Sequence, residues 1–433
     1  MLGYYLDLAL RSLRRNKALT ALMVVAIALG IGASMTTLTV FYVLSGDPVP
    51  GKSDRLFFVQ MDPQDMNGYT PGVEPPEQVT RLDAETLLRD GRGVRQALMA
   101  GGSVAIEPDR EDLRPFYLRA RYTSKDLFEM FDVPLRYGSA WGDAEDGDRA
   151  RVAVISAALN DRLFDGADST GGSIRLNQTT FRIVGVLDEW RPAPRFYDLT
   201  GTQYGEVEEV FLPFSTSREL SMSFSGNMSC WERYQGDQTE SGAPCTWMQY
   251  WVELASPADA ADYRAYLVNY YEQQSAAGRF ERPTNVRLRD LMTWLEFKQV
   301  VPSDVRLQTW LAFAFLLVCL INTVGLLLAK FLRRSGEIGV RRALGASRRD
   351  ILVQFLVEAT VVGLAGGVLG LGLAWLGLWA VRQQPASYAD LASLDPVMLA
   401  TTFGLALAAG VLAGLLPAWR ACRITPAIQL KSQ

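Results

Sequence analysis

The sequence of 433 residues contains no histidine. Without histidine the chain cannot run a Ser-His-Asp or Cys-His mechanism, and it cannot hold a histidine-ligated zinc ion. Acidic pairs such as Glu208–Glu209 could in principle do acid–base chemistry, but nothing in the sequence indicates a pocket around them, so we interpret them as solvated surface. We therefore expect a non-catalytic protein with no catalytic residue, no metal site and no cofactor of its own.

Four long stretches of the chain contain no charged residue. Each stretch exceeds the roughly 20 residues that an α-helix needs to cross a hydrocarbon core of about 30 Å. A soluble helix of that length would need a polar face, and none of the four has one. We favour four transmembrane helices over four buried helices of a soluble core. The uncharged stretches are Ala18 to Leu44, Leu307 to Ala329, Ala359 to Val381 and Pro396 to Trp419.

The basic residues are unevenly distributed. Segments 1–17, 330–350 and 420–433 together hold 14 basic and 3 acidic residues, whereas the rest of the chain holds 29 basic and 44 acidic residues. Short loops rich in Lys and Arg stay in the cytoplasm, so both termini and the 330–350 loop are predicted to face inward. We interpret the basic tracts as topology signals and expect no nucleic-acid partner.

These signals predict an α-helical membrane domain of four transmembrane helices, with a large mixed α+β extracytoplasmic domain inserted between the first and second spans. The first span is longer than the 7–15 apolar residues of a signal peptide, so we interpret it as an uncleaved anchor. The predicted segments are a cytoplasmic interfacial helix 1–17, span 18–44, periplasmic domain 45–306, span 307–329, cytoplasmic loop 330–350, span 351–381, periplasmic loop 382–395, span 396–419 and cytoplasmic tail 420–433.

Leu2, Leu6, Leu10 and Leu13 recur at helical spacing beside arginines, a pattern typical of a helix lying in the membrane surface. Within 45–306 we expect two subdomains. Segment 190–246, rich in Pro, Gly, Ser and aromatic residues, is interpreted as irregular. A hairpin is predicted over Ser173–Leu187, turning at Asn177–Gln178.

Four cysteines divide by predicted compartment. Cys319 lies in an apolar stretch and Cys422 in the tail, so both are expected to be free thiols. Cys230 and Cys245 fall in the extracytoplasmic segment, where disulfides persist, and we favour a disulfide between them over two free thiols.

Glycine pairs spaced four residues apart recur in the last two spans, and small residues at this spacing let transmembrane helices approach closely. Chance placement of glycine in apolar sequence is the alternative. The predicted packing residues are Gly363, Gly367, Gly366, Gly370, Gly410 and Gly414.

Two polar residues fall within the spans, Asn322 and Glu358. An ionisable residue in a span is a functional candidate by default. Glu358 is only about two turns from Arg348–Arg349, and Asn322 could hydrogen-bond across helices. We favour structural roles over proton or substrate transport for both.

One nucleotide-binding pattern is rejected. Gly46 to Ser53 satisfies G-x-x-x-x-G-K-[ST], but a phosphate loop needs a strand before it and a helix after it. Here a span precedes the pattern and an apparent strand follows it. Pro48 and Pro50 also remove two backbone donors.

The most specific motif is the basic segment Arg333 to Asp350. It predicts a short cytoplasmic helix that breaks at Gly345, with Ser347 able to cap the next helix. Its arginines are suited to carboxylates on a partner protein.

This segment resembles a known family. Residues 337–354 look like the signature loop of MacB/FtsX-like ABC transporter permeases, the type VII or mechanotransmission class. Residues 414–426 are similar to the family's last span, and 127–142 and 151–187 to its MacB-like periplasmic core domain. The resemblance implies a non-catalytic permease that moves its periplasmic domain when a cytoplasmic ABC ATPase, which binds ATP and Mg, docks against the loop after the second span. In some family members this ATPase is fused to the N-terminus. Because 17 residues precede the first span here, we expect the ATPase on a separate chain. The resemblance assigns the coupling elbow, by position, to Glu337, Arg341, Arg342, Gly345, Ser347 and Arg348.

Three functions are compatible with the resemblance. The favoured one is efflux of a peptide, lipid or antibiotic-like substrate with a periplasmic adaptor. The alternatives are activation of a periplasmic cell-wall hydrolase, as for FtsX-like regulators, and lipoprotein release. In each case the expected setting is the bacterial inner membrane, with lipid and a second permease, identical or homologous, as further partners.

Overall fold

The computed structural model describes residues 2–110, 112–201, 203–384 and 395–422. The chain forms two compact units. The helical unit comprises Met1–Gly46 and Val301–Gln433, and the sheet unit comprises Asp47–Val300. Most of the predicted 382–395 loop and 420–433 tail, and the side chains of Leu2, Leu6 and Leu10, lie outside the described residues.

The helices are, in chain order, α1 (Leu2–Arg15), α2 (Lys17–Ser45), α3 (Arg81–Asp90), α4 (Leu127–Met130), α5 (Asp143–Gly147), α6 (Ala157–Phe164), α7 (Phe214–Glu219), α8 (Ala260–Ala276), α9 (Leu291–Phe297), α10 (Ser303–Leu332), α11 (Ser335–Ala343), α12 (Arg348–Arg382) and α13 (Pro396–Cys422). The strands are β1 (Leu56–Met61), β2 (Val79–Thr80), β3 (Arg95–Glu107), β4 (Phe116–Thr123), β5 (Leu135–Gly138), β6 (Val152–Ile155), β7 (Ser173–Leu176), β8 (Thr179–Leu187), β9 (Val210–Pro213), β10 (Ser229–Cys230), β11 (Cys245–Glu253) and β12 (Val286–Asp290).

In the described part of the chain, four helices are long and apolar enough to cross a membrane: α2, α10, α12 and α13, of 29, 30, 35 and 27 residues. At about 1.5 Å per residue, each exceeds the roughly 30 Å of a hydrocarbon core. Each contains one of the uncharged stretches, and each extends beyond it at one or both ends.

Helix α12 packs against α1, α2 and α13. A Cβ atom added at Gly363 would lie 2.6 Å from the Cα atom of Gly410 on α13, and one added at Gly366 would lie 2.6 Å from Ile27 Cγ2 on α2. Neither position could hold a larger residue without a shift of the helices. All six glycines predicted to pack have such close neighbours: Gly363, Gly367, Gly410 and Gly414 between α12 and α13, and Gly366 and Gly370 against α2.

The sheet unit is built on one mixed sheet with strand order β12-β1-β11-β3-β4-β9-β6-β8-β5, to which β2, β7 and β10 add at the side. Strand β11 is buried along its whole length and brings Trp247, Tyr250 and Trp251 into the core. The β7–β8 hairpin turns at Asn177–Gln178, and both residues have positive φ, 45° and 66°. A two-residue hairpin turn with both φ values positive matches the right-handed twist of its strands.

The interpretation of 190–246 as irregular was wrong in part. This segment contributes α7 and the fully buried β9, which pairs in parallel with β4 and antiparallel with β6. The β9 sequence is only four residues long, too short to show a strand periodicity. Strand β9 lies inside the sheet because it pairs with β4 on one side and with β6 on the other.

Cys230 and Cys245 face each other across the antiparallel β10–β11 pair and are joined by a disulfide, with Cα atoms 4.0 Å apart. The bond closes the loop between two strands of the sheet unit. Cys319 and Cys422 are free thiols, both buried in the helical unit.

Replacing both Cys230 and Cys245 by alanine should lower the free energy of unfolding of the sheet unit by about 3 kcal/mol, because a closed loop of 15 residues restricts the unfolded chain. Urea unfolding of residues 47–300 measures this. The native unit should lose a similar amount on reduction with dithiothreitol, and the double variant should not respond to the reductant. Equal stability of the two proteins under oxidising conditions would contradict the prediction.

Candidate coupling site

A single carboxylate joins three helices of the helical unit. Glu358 of α12 lies 2.5 Å from the Lys330 ammonium of α10, and the Ser12 hydroxyl of α1 donates a hydrogen bond to the same oxygen. The Arg334 guanidinium, between α10 and α11, lies 3.6 Å from the other carboxylate oxygen. Glu358 and Lys330 are each only 1% exposed. We call these four residues the Glu358 cluster.

The Glu358 cluster combines strong attraction with a high desolvation cost. Taking an ion out of water costs several kcal/mol even after relaxation, and this cost is offset only when each charge has a partner. Removing one partner leaves an uncompensated buried charge, which typically costs about 3–5 kcal/mol. The cluster therefore strongly favours the arrangement in which α1, α10 and α12 remain together.

Helix α11 is held to this assembly on one side. Ile338 is buried with the apolar residues of the helical unit, and the Arg341 guanidinium donates a 2.9 Å hydrogen bond to Gln354 on α12. Glu337 forms a 3.1 Å ion pair with Arg15 of α1. That pair is exposed, so it contributes little to stability.

The turn from α11 into α12 contains the glycine break and the serine cap that the sequence predicts. Gly345 has a φ of +100°, a conformation that favours glycine. The Ser347 hydroxyl accepts from the backbone N–H of Asp350, and the Asp350 carboxylate accepts from the backbone N–H of Ser347. This reciprocal capping box fixes the first turn of α12.

The outer side of the elbow is apolar at its tip. Val340 is 59% exposed and Leu344 is 83% exposed, one turn apart. Of the elbow residues predicted from the sequence, Arg341, Gly345 and Ser347 fix the elbow itself. Glu337 forms the exposed pair with Arg15, Arg342 is half-buried and Arg348 is exposed. Sequence reasoning missed the two apolar residues, although their i, i+4 spacing in a basic loop was a visible signal.

The sheet unit holds a second buried charge network. Arg121 on β4 forms an ion pair with Glu208 and lies 2.8 Å from Asp198, and Arg195 lies 3.3 Å from Glu208. The Tyr197 hydroxyl donates to Glu208 at 2.8 Å. The interpretation of Glu208 as solvated surface was wrong, because the residue is buried among these partners.

The network sets the protonation of its acids. Burial alone would raise the pKa of Asp198, but Arg121, the Thr200 hydroxyl and Arg195 outweigh it and lower the pKa to about 2. Burial likewise opposes ionisation of Glu208, and the two arginines still hold its pKa below the usual value. With both acids ionised, the buried charges tie Arg195, Asp198 and Glu208 to Arg121 of the sheet.

Comparisons with known proteins agree with this architecture. Residues 20–270 match the family described as MacB-like periplasmic core domain, and residues 310–426 match the FtsX-like permease C-terminal family. The chain belongs to the MacB/FtsX-like ABC transporter permeases. The sheet unit is thus the MacB-like periplasmic domain of the permease, and the helical unit contains its transmembrane, FtsX-like part.

The permease also resembles curated proteins over nearly its whole length. It is 28% identical to "Macrolide export ATP-binding/permease protein MacB" of Azoarcus sp. over 98% of this chain and 59% of that protein. It is 25% identical to "Pyoverdine export ATP-binding/permease protein PvdT" of Pseudomonas fluorescens over 96% of this chain and 58% of that protein. The chain thus spans less than two thirds of the length of these relatives.

Replacing Glu358 by glutamine should destabilise the helical unit by about 3–5 kcal/mol, because Lys330 is left buried without a counter-charge. The double variant Lys330→Met/Glu358→Leu should recover most of that loss, since apolar residues of similar size replace the pair. Unfolding by SDS in mixed micelles measures both. If the double variant lost as much stability as the two single variants together, a direct interaction between Lys330 and Glu358 would be contradicted.

Replacing Arg121 by leucine should destabilise the sheet unit by about 3–5 kcal/mol at pH 7, because Glu208 and Asp198 lose the buried arginine that they share. The folded-state pKa of Asp198 is below its ordinary value, so the stabilisation is present above about pH 4 and is lost as the pH falls towards 2. The difference between variant and native unit should therefore shrink over that range in urea unfolding. Arg119→Leu, an exposed change on the same strand, is the control and should have little effect.

Proposed function

We propose that this permease couples ATP hydrolysis by a separate cytoplasmic ABC ATPase to movement of its periplasmic domain. At the elbow, α11 is held on α12 by the Arg341–Gln354 hydrogen bond and leaves Val340 and Leu344 exposed, and this arrangement carries the proposal. Exposed apolar residues in a segment rich in arginine are suited to a partner surface with an apolar pocket and acidic groups. The names of the relatives, which combine ATP-binding and permease functions, support this partner.

The Glu358 cluster gives the docked ATPase a mechanical connection to the spans. A displacement of α11 reaches α12 directly, because Arg341 is bonded to Gln354 and the capping box fixes the turn. It reaches α10 and α1 through the Glu358 carboxylate. Buried charge pairs resist separation, so these elements move together rather than slide apart.

The proposed topology follows from the charge distribution. Both termini and the elbow lie in the cytoplasm, and the domain between α2 and α10 lies in the periplasm of the bacterial inner membrane. ATP and Mg bind to the partner ATPase, and the permease holds no cofactor. Two permease copies, or this chain with a homologous permease, form the membrane part of the complex.

For the cargo, we propose efflux of a peptide, lipid or antibiotic-like substrate with a periplasmic adaptor protein. The curated relatives are named for macrolide and pyoverdine export. Crosslinking of the periplasmic domain in cells, followed by identification of the captured protein, tests this choice. An adaptor supports efflux, whereas a cell-wall hydrolase or an outer-membrane lipoprotein as the main product would overturn it.

Replacing Leu344 or Val340 by aspartate should abolish co-purification with the ATPase, because the charge would be buried in an apolar contact. Co-expression with candidate ATPases and pull-down of the tagged permease measures the loss. Val73→Asp is a matched control, since Val73 is 58% exposed and lies in the sheet unit. Undiminished binding by both elbow variants would show that the ATPase docks elsewhere.

A further inference from the structure

The sheet unit contains a cavity that the proposed coupling does not use. It lies among helix α4, strand β5 and the loop from β5 to α5, and its volume is about 640 Å³. Pockets that bind small ligands typically range from about 300 to 1,000 Å³ and combine apolar walls with a few polar groups. This cavity has both, because Phe128, Val133 and Leu135 line it together with charged side chains. It is therefore a candidate ligand site.

One wall of the cavity contains a tryptophan whose N–H group has no partner. Trp141 is 3% exposed, although Gly142 and Asp143 beside it are exposed. Its ring packs edge-on against Phe128, with the two ring centroids 5.0 Å apart. Among the residues that the structure describes, none accepts a hydrogen bond from Trp141 Nε1. Because a buried tryptophan N–H normally finds an acceptor, an acceptor on a bound ligand would satisfy this group.

The charged groups around the cavity are mostly acidic. The Lys125 ammonium lies 2.9 Å from Asp126 and 3.3 Å from Asp143. The backbone N–H of Lys125 donates a 3.3 Å hydrogen bond to the Asp146 carboxylate. Three carboxylates therefore lie around a single lysine, and an additional cation is attracted to them. The same excess of negative charge repels an anionic ligand.

Two further acids of the lining, Glu129 and Asp132, already have basic partners. Arg95 lies 3.0 Å from Glu129, and Lys52 forms an ion pair with Asp132. The unbalanced negative charge is thus next to Lys125. In the described ranges of the chain, no group of three or more acidic or cysteine side chains is placed to hold a metal ion, which favours an organic cation.

The cavity also adjoins an edge strand. Strand β5 is the last strand of the sheet, and in the part of the chain described by the structure it pairs only with β8. The lining contains Leu135 at the start of β5 and Ser139 directly after its end, and it contains no residue of β8. An edge strand has backbone N–H and C=O groups free on its open side, and such groups bind extended peptides.

We propose that this cavity, which we name the Trp141 site, binds an extended peptide segment with a lysine or arginine side chain. The peptide backbone pairs with β5, and a peptide carbonyl accepts a hydrogen bond from Trp141 Nε1. The basic side chain binds the Asp126 and Asp143 carboxylates. The inference rests on the proposed efflux function and narrows its cargo to basic peptides. A small amine would use the carboxylates alone, and a lipid chain would use neither the carboxylates nor the strand edge.

Peptide binding to the full-length permease in lipid nanodiscs tests the site. The probe is a fluorescein-labelled nonapeptide of alternating valine and threonine with one central arginine, and a second peptide has glutamate at the centre instead. Fluorescence anisotropy should show that the arginine peptide binds at least about tenfold more tightly than the glutamate peptide. Equal affinity for the two peptides, or binding of neither, would overturn the proposal. Displacement of the arginine peptide by an equal concentration of spermidine would also overturn it, because the ligand would then be a small amine.

A substitution at the edge of the cavity tests the position of the basic side chain. Asp143→Asn should weaken binding of the arginine peptide about two- to fivefold, because one exposed carboxylate of the site is lost. Binding of the glutamate peptide should not weaken. Asp165→Asn is the matched control, since the side chains of Asp143 and Asp165 are 89% and 82% exposed and each is paired with one base. Equal effects of the two substitutions would show that the peptide binds elsewhere.

The indole N–H is tested separately. Trp141→Phe keeps an aromatic ring beside Phe128 and removes the donor, so it should weaken binding about two- to tenfold. Both peptides should be weakened by the same factor, because the acceptor is a backbone carbonyl that they share. Trp190→Phe, in the sheet unit but outside this cavity, is the control and should have little effect. Undiminished binding by Trp141→Phe would contradict the proposed contact.

ATP hydrolysis by the assembled complex decides whether the bound peptide is cargo. The arginine peptide should raise the ATPase rate of the native complex, and Asp143→Asn should shift this response to higher peptide concentrations. If the peptide binds at the Trp141 site without changing the rate, the assignment as cargo is wrong. If no peptide binds while the ATPase still co-purifies through the elbow, the Trp141 site alone is wrong. If the peptide binds but no ATPase co-purifies, the proposed function itself is in error.

Discussion

The hydrocarbon interior of the membrane is the constraint on which the rest of this structure depends. It supplies no hydrogen-bond partners, so the backbone must be satisfied within each of α2, α10, α12 and α13. It also removes most of the hydrophobic drive for helix association, and close packing takes its place. The glycines along α12 serve that need, because they let α13 and α2 approach to distances that any larger residue would prevent.

The same constraint explains the placement of charge in the helical unit. A carboxylate at Glu358 is tolerated because Lys330, Arg334 and Ser12 converge on it. In return, the cluster joins helices that are far apart in sequence and lies at the base of the elbow. A surface ion pair such as Glu337–Arg15 could not do this, since solvent weakens it. The proposed transmission from elbow to spans therefore relies on buried rather than exposed charge.

Much of the helical unit could be predicted from the sequence, because length without charge is a local property. The four long helices are predicted by this property. The elbow turn at Gly345 and the cap at Ser347 are also local, because each is predicted from the residue type at that position. The sheet unit was harder to predict from the sequence. The sequence around Glu208 does not indicate that Arg121, 87 residues away, pairs with it in the core. Strand β9 is too short to be predicted from its own sequence. The outward direction of Val340 and Leu344 depends on how α11 packs, which the sequence pattern leaves undetermined.

The proposed coupling requires the elbow to face the cytoplasm and the sheet unit to face the periplasm. Single cysteines at Leu344 and at Tyr117, which are 83% and 78% exposed, can be introduced into the Cys319→Ala/Cys422→Ala background. In intact cells with a permeable outer membrane, an impermeant maleimide should label Tyr117→Cys and not Leu344→Cys, and lysis should make both reactive. Labelling of Leu344→Cys in intact cells would place the elbow outside the cytoplasm and contradict the coupling mechanism.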